Sequence, residues 1–124
     1  MLVVDDVPPI ARSIARALRG QRGLDAIAFT SSLEALAHCE AHRPWLAVLD
    51  VRMPGLDGVT LARRLRAGDP GIAVVFITGT PEDMDPEVMH REFGPSLHVI
   101  TKPFAMATLL AIVDVLPGPD TTRG

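Results

Sequence analysis

The fold is decided by one apolar run in the second half of the chain, Ile72-Ala73-Val74-Val75-Phe76-Ile77. Most of its residues are β-branched or aromatic, and it lacks the polar alternation of a strand that faces water on one side. Such a run predicts a strand buried on both faces, which is typical of a parallel sheet covered by helices. The run ends at Thr78.

Shorter strand-like runs lie on either side of this strand and alternate with segments of helical period. The other predicted strands are Val3-Val4, Leu24 to Phe29, Trp45 to Leu49 and His98 to Thr101. Helices are predicted after Pro8-Pro9, after the capping box of Ser31 and Glu34, after Gly58, from Glu87 to Phe93, and from Ala105 to Leu116. Five such units predict an α/β fold, a flavodoxin-like, doubly wound sheet of five parallel strands in the order 2-1-3-4-5 with five helices.

Three details of the helices are expected from local pattern. The first helix should end at Gly20, since glycine commonly follows the last helical residue. The second should turn Leu33, Leu36 and Ala37 inward. The fourth should be short, or mobile, because prolines crowd the segment around it.

Composition narrows the class of protein. A chain of 124 residues fits one domain, here residues 1–117 followed by a polar tail, 118–124. A net charge of -3 argues against direct nucleic-acid binding, and no apolar run is long enough to span a bilayer. The start of the chain lacks the pattern of a signal peptide, and Cys39 is the only cysteine, so a cytoplasmic location is expected.

Charged and polar residues stand at the predicted strand ends. Asp5 and Asp6 follow the first strand, Asp50 follows the third, Thr78 ends the fourth, and Lys102 follows the fifth. The carboxyl ends of the first and third strands are neighbours where the strand order reverses, so three carboxylates should share one crevice. Oxygen ligands without His or Cys favour a hard cation, Mg²⁺ or Mn²⁺. Lys102 is the only lysine, which favours a specific task for it.

Together these residues resemble the receiver domain of bacterial two-component response regulators. Four motifs carry the resemblance, in the family's order and at about its spacing, and they span nearly the whole chain. The motifs are Val3-Val4-Asp5-Asp6, Leu49-Asp50-Val51-Arg52-Met53-Pro54-Gly55-Leu56-Asp57-Gly58, Thr78-Gly79 and Lys102-Pro103-Phe104.

The resemblance implies a phosphoacceptor domain and not an enzyme beyond its own self-catalysed phosphoryl transfer and slow autodephosphorylation. Asp50 would take a phosphoryl group from a sensor histidine kinase or a phosphotransfer protein, as in a phosphorelay. Asp6 and Asp50 would bind Mg²⁺ directly, Asp5 through water, and Arg52 through its backbone carbonyl. Lys102 would stabilise charge on the phosphoryl oxygens, and Thr78 would bind the phosphoryl group and act as the switch.

One position departs from the family pattern. The family usually has Tyr or Phe in the fifth strand three residues before the lysine, and this chain has Val99 there. The usual rotation of an aromatic ring cannot report the switch here. Arg52 and Thr80, each two residues beyond a site residue, are further positions that would control the access of water to the phosphoryl group.

The last helix presents two open interpretations. Met106, Leu110 and Ala111 add apolar residues beyond its inward face. They reflect either helix propensity alone or a surface that docks a second copy, a downstream protein or an adjoining domain.

Several residues are given ordinary roles. Asp57 is expected to cap a helix, and Cys39 to be a partly buried residue without redox function. His38 and His42 stand four apart on a helix, but no third zinc ligand is evident, so zinc is rejected.

Three other functions compete with the phosphoacceptor. A phosphorylation-independent pseudo-receiver would be expected to lack one of the five site residues, and none is missing. An aspartyl-phosphate phosphatase looks for a second acid two residues after the nucleophile, where this chain has Arg52. A flavodoxin-like FMN carrier needs a phosphate-binding loop after the first strand, and Asp6 would repel phosphate there. The sequence does not give the cognate kinase, the output, the phosphoryl lifetime, the oligomeric state, or whether the domain is free-standing.

Overall fold

The computed structural model describes residues 1–53, 55–94 and 97–116, and strands alternate with helices throughout them. The strands are β1 (Leu2–Val4), β2 (Ile27–Phe29), β3 (Leu46–Asp50), β4 (Ala73–Thr78) and β5 (Leu97–Thr101). The helices are α1 (Pro8–Arg22), α2 (Ser32–Ala41), α3 (Gly58–Gly68), α4 (Pro86–Phe93) and α5 (Met106–Val115). A 3₁₀ turn, Pro81–Asp83, precedes α4. The predicted domain end at 117 and the tail 118–124 lie outside the described residues.

The strands form one parallel sheet in the order β2-β1-β3-β4-β5, so the predicted fold class is confirmed. The register pairs Val4 with Leu49 between β1 and β3, and Asp50 with Ile77 between β3 and β4. The carboxyl ends of these three strands therefore meet at one edge of the sheet. This edge includes the point where the strand order reverses, and open α/β sheets bind ligands there.

The sheet separates two hydrophobic cores, and alternate residues of each strand face one or the other. On β4, Val75 and Ile77 pack into the core made with α1 and α5, whereas Val74 and Phe76 pack into the core made with α2, α3 and α4. Thr78 lies on the same side of β4 as Val74 and Phe76, which is the side covered by α2, α3 and α4. Asp50 lies on the same side of β3 as Val48, which packs into the core made with α1 and α5. Asp50 and Thr78 therefore lie on neighbouring strands, but strand alternation places them on opposite sides of the sheet.

The predicted end of α1 at Gly20 is wrong, because the helix continues to Arg22. Gly23, not Gly20, takes the left-handed conformation (φ 62°) and ends the helix. The N–H groups of Gly23 and Leu24 donate to the carbonyls of Arg19 and Leu18, a common pairing at helix ends. Leu24 is thereby used by the helix, and β2 begins at Ile27 instead of the predicted Leu24.

The predicted inward face of α2 is also partly wrong. Ser31 accepts a hydrogen bond from the Glu34 N–H, so the predicted cap is present. Ser32, however, is buried, and its hydroxyl donates to the Leu56 carbonyl at 2.6 Å. Burial of this first helical residue turns Leu33 outward, where it is 66% exposed. Ala35 takes the inward position and Ala37 is exposed, while Leu36 is partly buried.

The fourth helix is short, as predicted, with eight residues from Pro86 to Phe93. Its N-terminus is capped by the Asp85 side chain, which accepts from the Glu87 N–H. A membrane-spanning helix is absent from the part of the chain that the structure describes.

Candidate phosphoacceptor site

Three carboxylates converge at the edge of the sheet where β1 and β3 end. Asp50 is the last residue of β3, and Asp5 and Asp6 directly follow β1. Each of the three side chains offers an oxygen within 4.8 Å of the others. Asp5 is 1% exposed and Asp50 is 5% exposed, whereas Asp6 is partly buried. The structure therefore gathers the acids that the sequence placed at these two strand ends.

The Asp5 carboxylate is only half satisfied. Its Oδ1 accepts a hydrogen bond from the Val7 N–H at 2.9 Å. Its Oδ2 is buried and has no hydrogen-bond partner among the described residues. The nearest cation, the Lys102 ammonium, lies 3.9 Å from it, which is longer than a hydrogen bond. A buried carboxylate oxygen left in this way is costly unless a cation or donor reaches it.

Lys102 faces the acids from the other side of the crevice. Its Nζ lies 3.2 Å from Asp50 Oδ1. Its backbone N–H donates to the Thr78 carbonyl at 2.8 Å, so the start of the β5–α5 loop is held against the end of β4. The peptide bond between Lys102 and Pro103 is cis. Sequence order alone predicted that the single lysine belongs to this edge, and its ammonium lies there.

Burial raises the pKa values of the two buried acids, and the charge of a neighbouring carboxylate adds to the effect, Asp6 for Asp5 and Asp5 for Asp50. Desolvation raises the pKa of Asp5, against the hydrogen bond from Val7 and the charge of Lys102. The pKa of Asp50 is raised first by burial and then by the charge of Asp5, while Lys102 opposes both. Three carboxylates facing one ammonium leave an excess of two negative charges. A divalent cation would neutralise them.

The donor set fits a hard divalent cation. The available side-chain ligands are carboxylate oxygens, and the Asp5 oxygen that lacks a partner is one of them. Mg²⁺ and Mn²⁺ prefer such ligands and usually keep several waters. Asp5, Asp6 and Asp50 are therefore the residues that would hold the ion. The backbone carbonyl of Arg52 stays a predicted ligand.

We expect Asp5→Asn to stabilise the metal-free protein, by about 1 to 3 kcal/mol, because it removes a buried like charge and keeps the oxygen that Val7 binds. The folded state holds the Asp5 proton more tightly than the unfolded state does, so wild-type stability falls as the pH rises from the ordinary pKa of 3.8 through the raised value. The stability of Asp5→Asn should fall less than that of wild type over the same pH range. Chemical denaturation in chelator at about pH 4 and about pH 7 measures both effects.

Asp57→Asn is the matched control for this comparison. Asp57 is exposed and caps α3, accepting from the Thr60 N–H at 2.8 Å, and asparagine caps helices equally well. Its stability should be unchanged in chelator. Mg²⁺ should stabilise wild type and the control alike, and Asp5→Asn less. If Asp5→Asn instead lowers the stability of the metal-free protein, the carboxylate is not under electrostatic strain.

Thr78 is buried at the end of β4, one residue beyond the partner of Asp50 in the sheet register. Its Oγ1 accepts from the Thr80 N–H at 3.0 Å, and the two hydroxyl oxygens are 3.4 Å apart. Thr80 also binds the Arg52 side chain, whose Nε–H donates to Thr80 Oγ1 at 3.1 Å. The two loops that follow β3 and β4 are thus in direct contact.

Gly58 is a constraint on the site that the sequence reasoning did not single out. A Cβ atom at this position would stand 2.2 Å from the carbonyl oxygen of Asp50 and 3.0 Å from Val51 Cα. The Gly58 N–H donates to the Val51 carbonyl at 2.9 Å. Only glycine lets the start of α3 approach the end of β3 this closely. The Asp57-Gly58 pair, a cap followed by glycine, was the available signal.

Val99 and the α5 residues are not part of the acidic cluster, although Met106 lines a cavity together with Lys102. Val99 pairs with Phe76 in the register of the sheet and is 41% exposed, on the side of α4. The predicted outward position of Leu110 is wrong, because Leu110 is 4% exposed and packs into the core with α1. Leu110 takes the buried place predicted for Ile112, which is partly buried, while Leu109, Val113 and the helix-capping Leu116 are buried as predicted. Ala111 is exposed and Met106 is partly buried, so an interface through them stays a prediction.

The residues given ordinary roles lie away from the crevice. Among the described residues, the acidic cluster is the one group of three or more side chains with metal-ligand geometry, and it excludes His38 and His42. These two rings stack on each other with centroids 4.4 Å apart. Cys39 is partly buried, and burial raises the pKa of its thiol, which disfavours the reactive thiolate.

Comparisons with known proteins agree with this geometry. The family model of the response regulator receiver domain matches residues 1–114. The DNA-binding response regulator MtrA of Mycolicibacterium smegmatis is 36% identical over 113 residues, which cover 91% of this chain and 48% of MtrA. The transcriptional regulatory protein PrrA of Mycobacterium tuberculosis is 35% identical over 116 residues, covering 94% of this chain and 48% of PrrA.

A solved structure shares the same architecture. The CheY-like response regulator receiver domain protein from Methanospirillum hungatei superposes with a TM-score of 0.78 at 26% identity, covering 91% of this chain and 88% of that one. Fold, crevice and sequence thus define a signalling domain of two-component systems. The chain belongs to the response regulator receiver domain family. It spans about half the length of the curated relatives that it matches.

Proposed function

We propose that Asp50 accepts a phosphoryl group with the help of a divalent cation, Mg²⁺ or Mn²⁺, and that the acyl phosphate then alters a partner-binding surface. The 3.2 Å contact between Lys102 Nζ and Asp50 Oδ1 carries this proposal, because it lies beside a cluster of three carboxylates in which the buried Asp5 Oδ2 has no hydrogen-bond partner among the described residues. An acid cluster without a cation would repel a phosphoryl donor. With a cation and Lys102 present, the same cluster attracts phosphoryl oxygens.

The chemistry balances with the residues present. A carboxylate oxygen of Asp50 attacks the phosphorus of a phosphohistidine, the new O–P bond forms, and the P–N bond breaks. The departing imidazole keeps the electron pair and takes a proton from solvent. Lys102 stabilises negative charge on the phosphoryl oxygens, and a compact ammonium suits this task better than the planar guanidinium of arginine. The bound cation would supply further stabilisation of the same charge.

Thr78 supports the second half of the proposal. It ends the strand next to Asp50, and its backbone carbonyl binds the Lys102 N–H. A hydroxyl that turns toward a phosphoryl group on Asp50 would draw the β4–α4 loop with it, on the side of the sheet where α4 packs. Because Val99 replaces the usual aromatic residue, the change would be read through this loop and α4 without ring rotation.

The expected partners follow from this role. A sensor histidine kinase or phosphotransfer protein in the cytoplasm would supply the phosphoryl group, and a downstream protein or adjoining domain would read it. MtrA is described as DNA-binding, but this chain covers only about half of it. We propose no direct nucleic-acid contact by these residues, and no catalytic activity beyond phosphoryl uptake and slow loss.

The test is incubation of the protein with acetyl phosphate, with Mg²⁺ or with excess chelator, followed by intact-mass measurement. Wild type should gain one phosphoryl group with Mg²⁺ and essentially none with chelator, because the unneutralised carboxylates repel the donor. The adduct should be lost with hydroxylamine, which cleaves acyl phosphates. Equal uptake in chelator would contradict the role of the cation. No uptake from acetyl phosphate or from any sensor kinase tried would favour the pseudo-receiver.

A further inference from the structure

A chain of polar contacts joins the acceptor loop to the loop that follows β4. Arg52, two residues beyond Asp50, donates through Nε to Thr80 Oγ1 at 3.1 Å, and its Nη2 pairs with the Asp83 carboxylate. Both ends of this ion pair are exposed. Asp83 belongs to the 3₁₀ turn before α4. One side chain therefore binds the segment after the switch threonine at two points.

The same chain reaches the switch threonine itself. Thr80 donates its backbone N–H to Thr78 Oγ1 at 3.0 Å, so the Thr78 hydroxyl oxygen is already engaged with the loop. Thr80 is therefore held by Thr78 on one side and by Arg52 on the other, and a turn of Thr78 toward Asp50 would act on both contacts. Asp83 is fixed in the same arrangement, since its N–H donates to the Thr80 carbonyl at 3.1 Å.

We propose that the Arg52 side chain is a latch that holds residues 79–84 in the resting arrangement, so that a phosphoryl group on Asp50 must work against it. The inference rests on the proposed phosphorylation of Asp50. It assigns Arg52 a positioning role in regulation that is separate from its backbone carbonyl. A bound group shifts a two-state equilibrium only by its difference in affinity for the two states. Part of the free energy that the phosphoryl group contributes would therefore be needed to break the contacts of Arg52 before the loop is released.

The latch predicts a modest effect of defined sign. An exposed arginine–carboxylate pair of this kind changes an equilibrium by about two- to fivefold. Removing it should populate the released loop more, and any ligand that prefers that state should bind more tightly by the same factor. If Arg52 instead contacts the phosphoryl group directly, loss of the arginine should weaken the binding of such a ligand.

Four variants separate these roles. Arg52→Gln and Asp83→Asn each remove one side of the ion pair, and their double variant completes a thermodynamic cycle. Arg22→Gln is the matched control, because Arg22 pairs with Asp114 through two contacts of 2.7 and 3.0 Å between α1 and α5, remote from this loop. All four variants keep Asp5, Asp6, Asp50 and Lys102 intact.

The first measurement needs no phosphoryl group. Amide hydrogen exchange is followed at Asp83 and Met84, whose N–H groups donate to the Thr80 and Pro81 carbonyls at 3.1 and 3.0 Å. Arg52→Gln and Asp83→Asn should each speed exchange there by about two- to fivefold. Amide exchange in the double variant should be little faster than in either single variant, and exchange in Arg22→Gln should match that of wild type. Unchanged exchange in both single variants would refute the latch.

The second measurement titrates the Mg²⁺-loaded protein with beryllofluoride, which forms a phosphoryl-like adduct on a carboxylate. Both single variants should bind it about two- to fivefold more tightly than wild type. If Arg52→Gln binds it more weakly while Asp83→Asn binds it more tightly, Arg52 contacts the phosphoryl group and the latch is refuted. Failure of wild type to bind beryllofluoride would count against phosphorylation of Asp50, whereas the exchange measurement still decides whether Arg52 holds the loop.

Discussion

Asp50→Asn is expected to take up no phosphoryl group from acetyl phosphate in Mg²⁺, a loss of at least about a thousandfold against wild type. An amide oxygen carries no negative charge and is a poor nucleophile toward phosphorus. The fold should survive, because asparagine fills about the same volume as aspartate. The change also removes a buried carboxylate, whose pKa is raised by burial and by the charge of Asp5. Intact-mass measurement after equal incubation gives the comparison.

The control for this loss is Asp57→Asn, a change of the same chemistry in the loop that follows Asp50. It should incorporate as much phosphoryl group as wild type, since the Asp57 side chain binds the Thr60 N–H at the start of α3. Phosphoryl uptake by Asp50→Asn at the wild-type level would show that another residue is the acceptor. Peptide mapping would then show which carboxylate carries the group.

Lys102→Gln is expected to change two properties in opposite directions. Phosphoryl uptake should slow by about a hundred- to a thousandfold, because the developing charge on the phosphoryl oxygens loses an ammonium placed beside Asp50. Mg²⁺ should bind about three to ten times more tightly, because the lysine no longer offsets the carboxylates. Rates from acetyl phosphate and direct Mg²⁺ titration measure the two effects.

Lys102→Arg separates charge from shape at the same position. It keeps the positive charge, so Mg²⁺ affinity should stay near that of wild type. Its planar guanidinium does not reproduce a point charge 3.2 Å from Asp50 Oδ1, so the rate should stay at least about tenfold below wild type. A Lys102→Gln variant with unchanged rate would show that the observed contact has no part in the transfer.

The architecture was predictable because its signal is long and repeated. A continuous apolar run such as 72–77 differs clearly from the amphipathic pattern of the neighbouring helices, and the alternation of strands with helices restricts the topology to few choices. The ends of elements were less predictable, since they depend on single hydrogen bonds. Gly20 and Gly23 are both plausible helix terminators by sequence, and only the positive φ of Gly23 separates them.

The acidic crevice was also within reach of the sequence, because parallel strands bring their carboxyl ends to one edge whatever the loops do. The side-chain contacts between loops were not. Arg52 and Thr80 were expected near the acceptor and the switch, but their contact depends on two loop conformations and one rotamer. The exposure of Leu33 and the burial of Leu110 likewise follow from how each helix is rotated on the sheet, which a hydrophobic pattern describes only within about one residue.

The close approach of Gly58 to Asp50 and the bond from the Gly58 N–H to the Val51 carbonyl hold the start of α3 against the end of β3. A junction made by backbone atoms in this way does not depend on the side chains that the intervening residues carry. Substitution of an exposed side chain in this segment would leave the junction intact, whereas a single methyl group on Gly58 would collide with the backbone of Asp50.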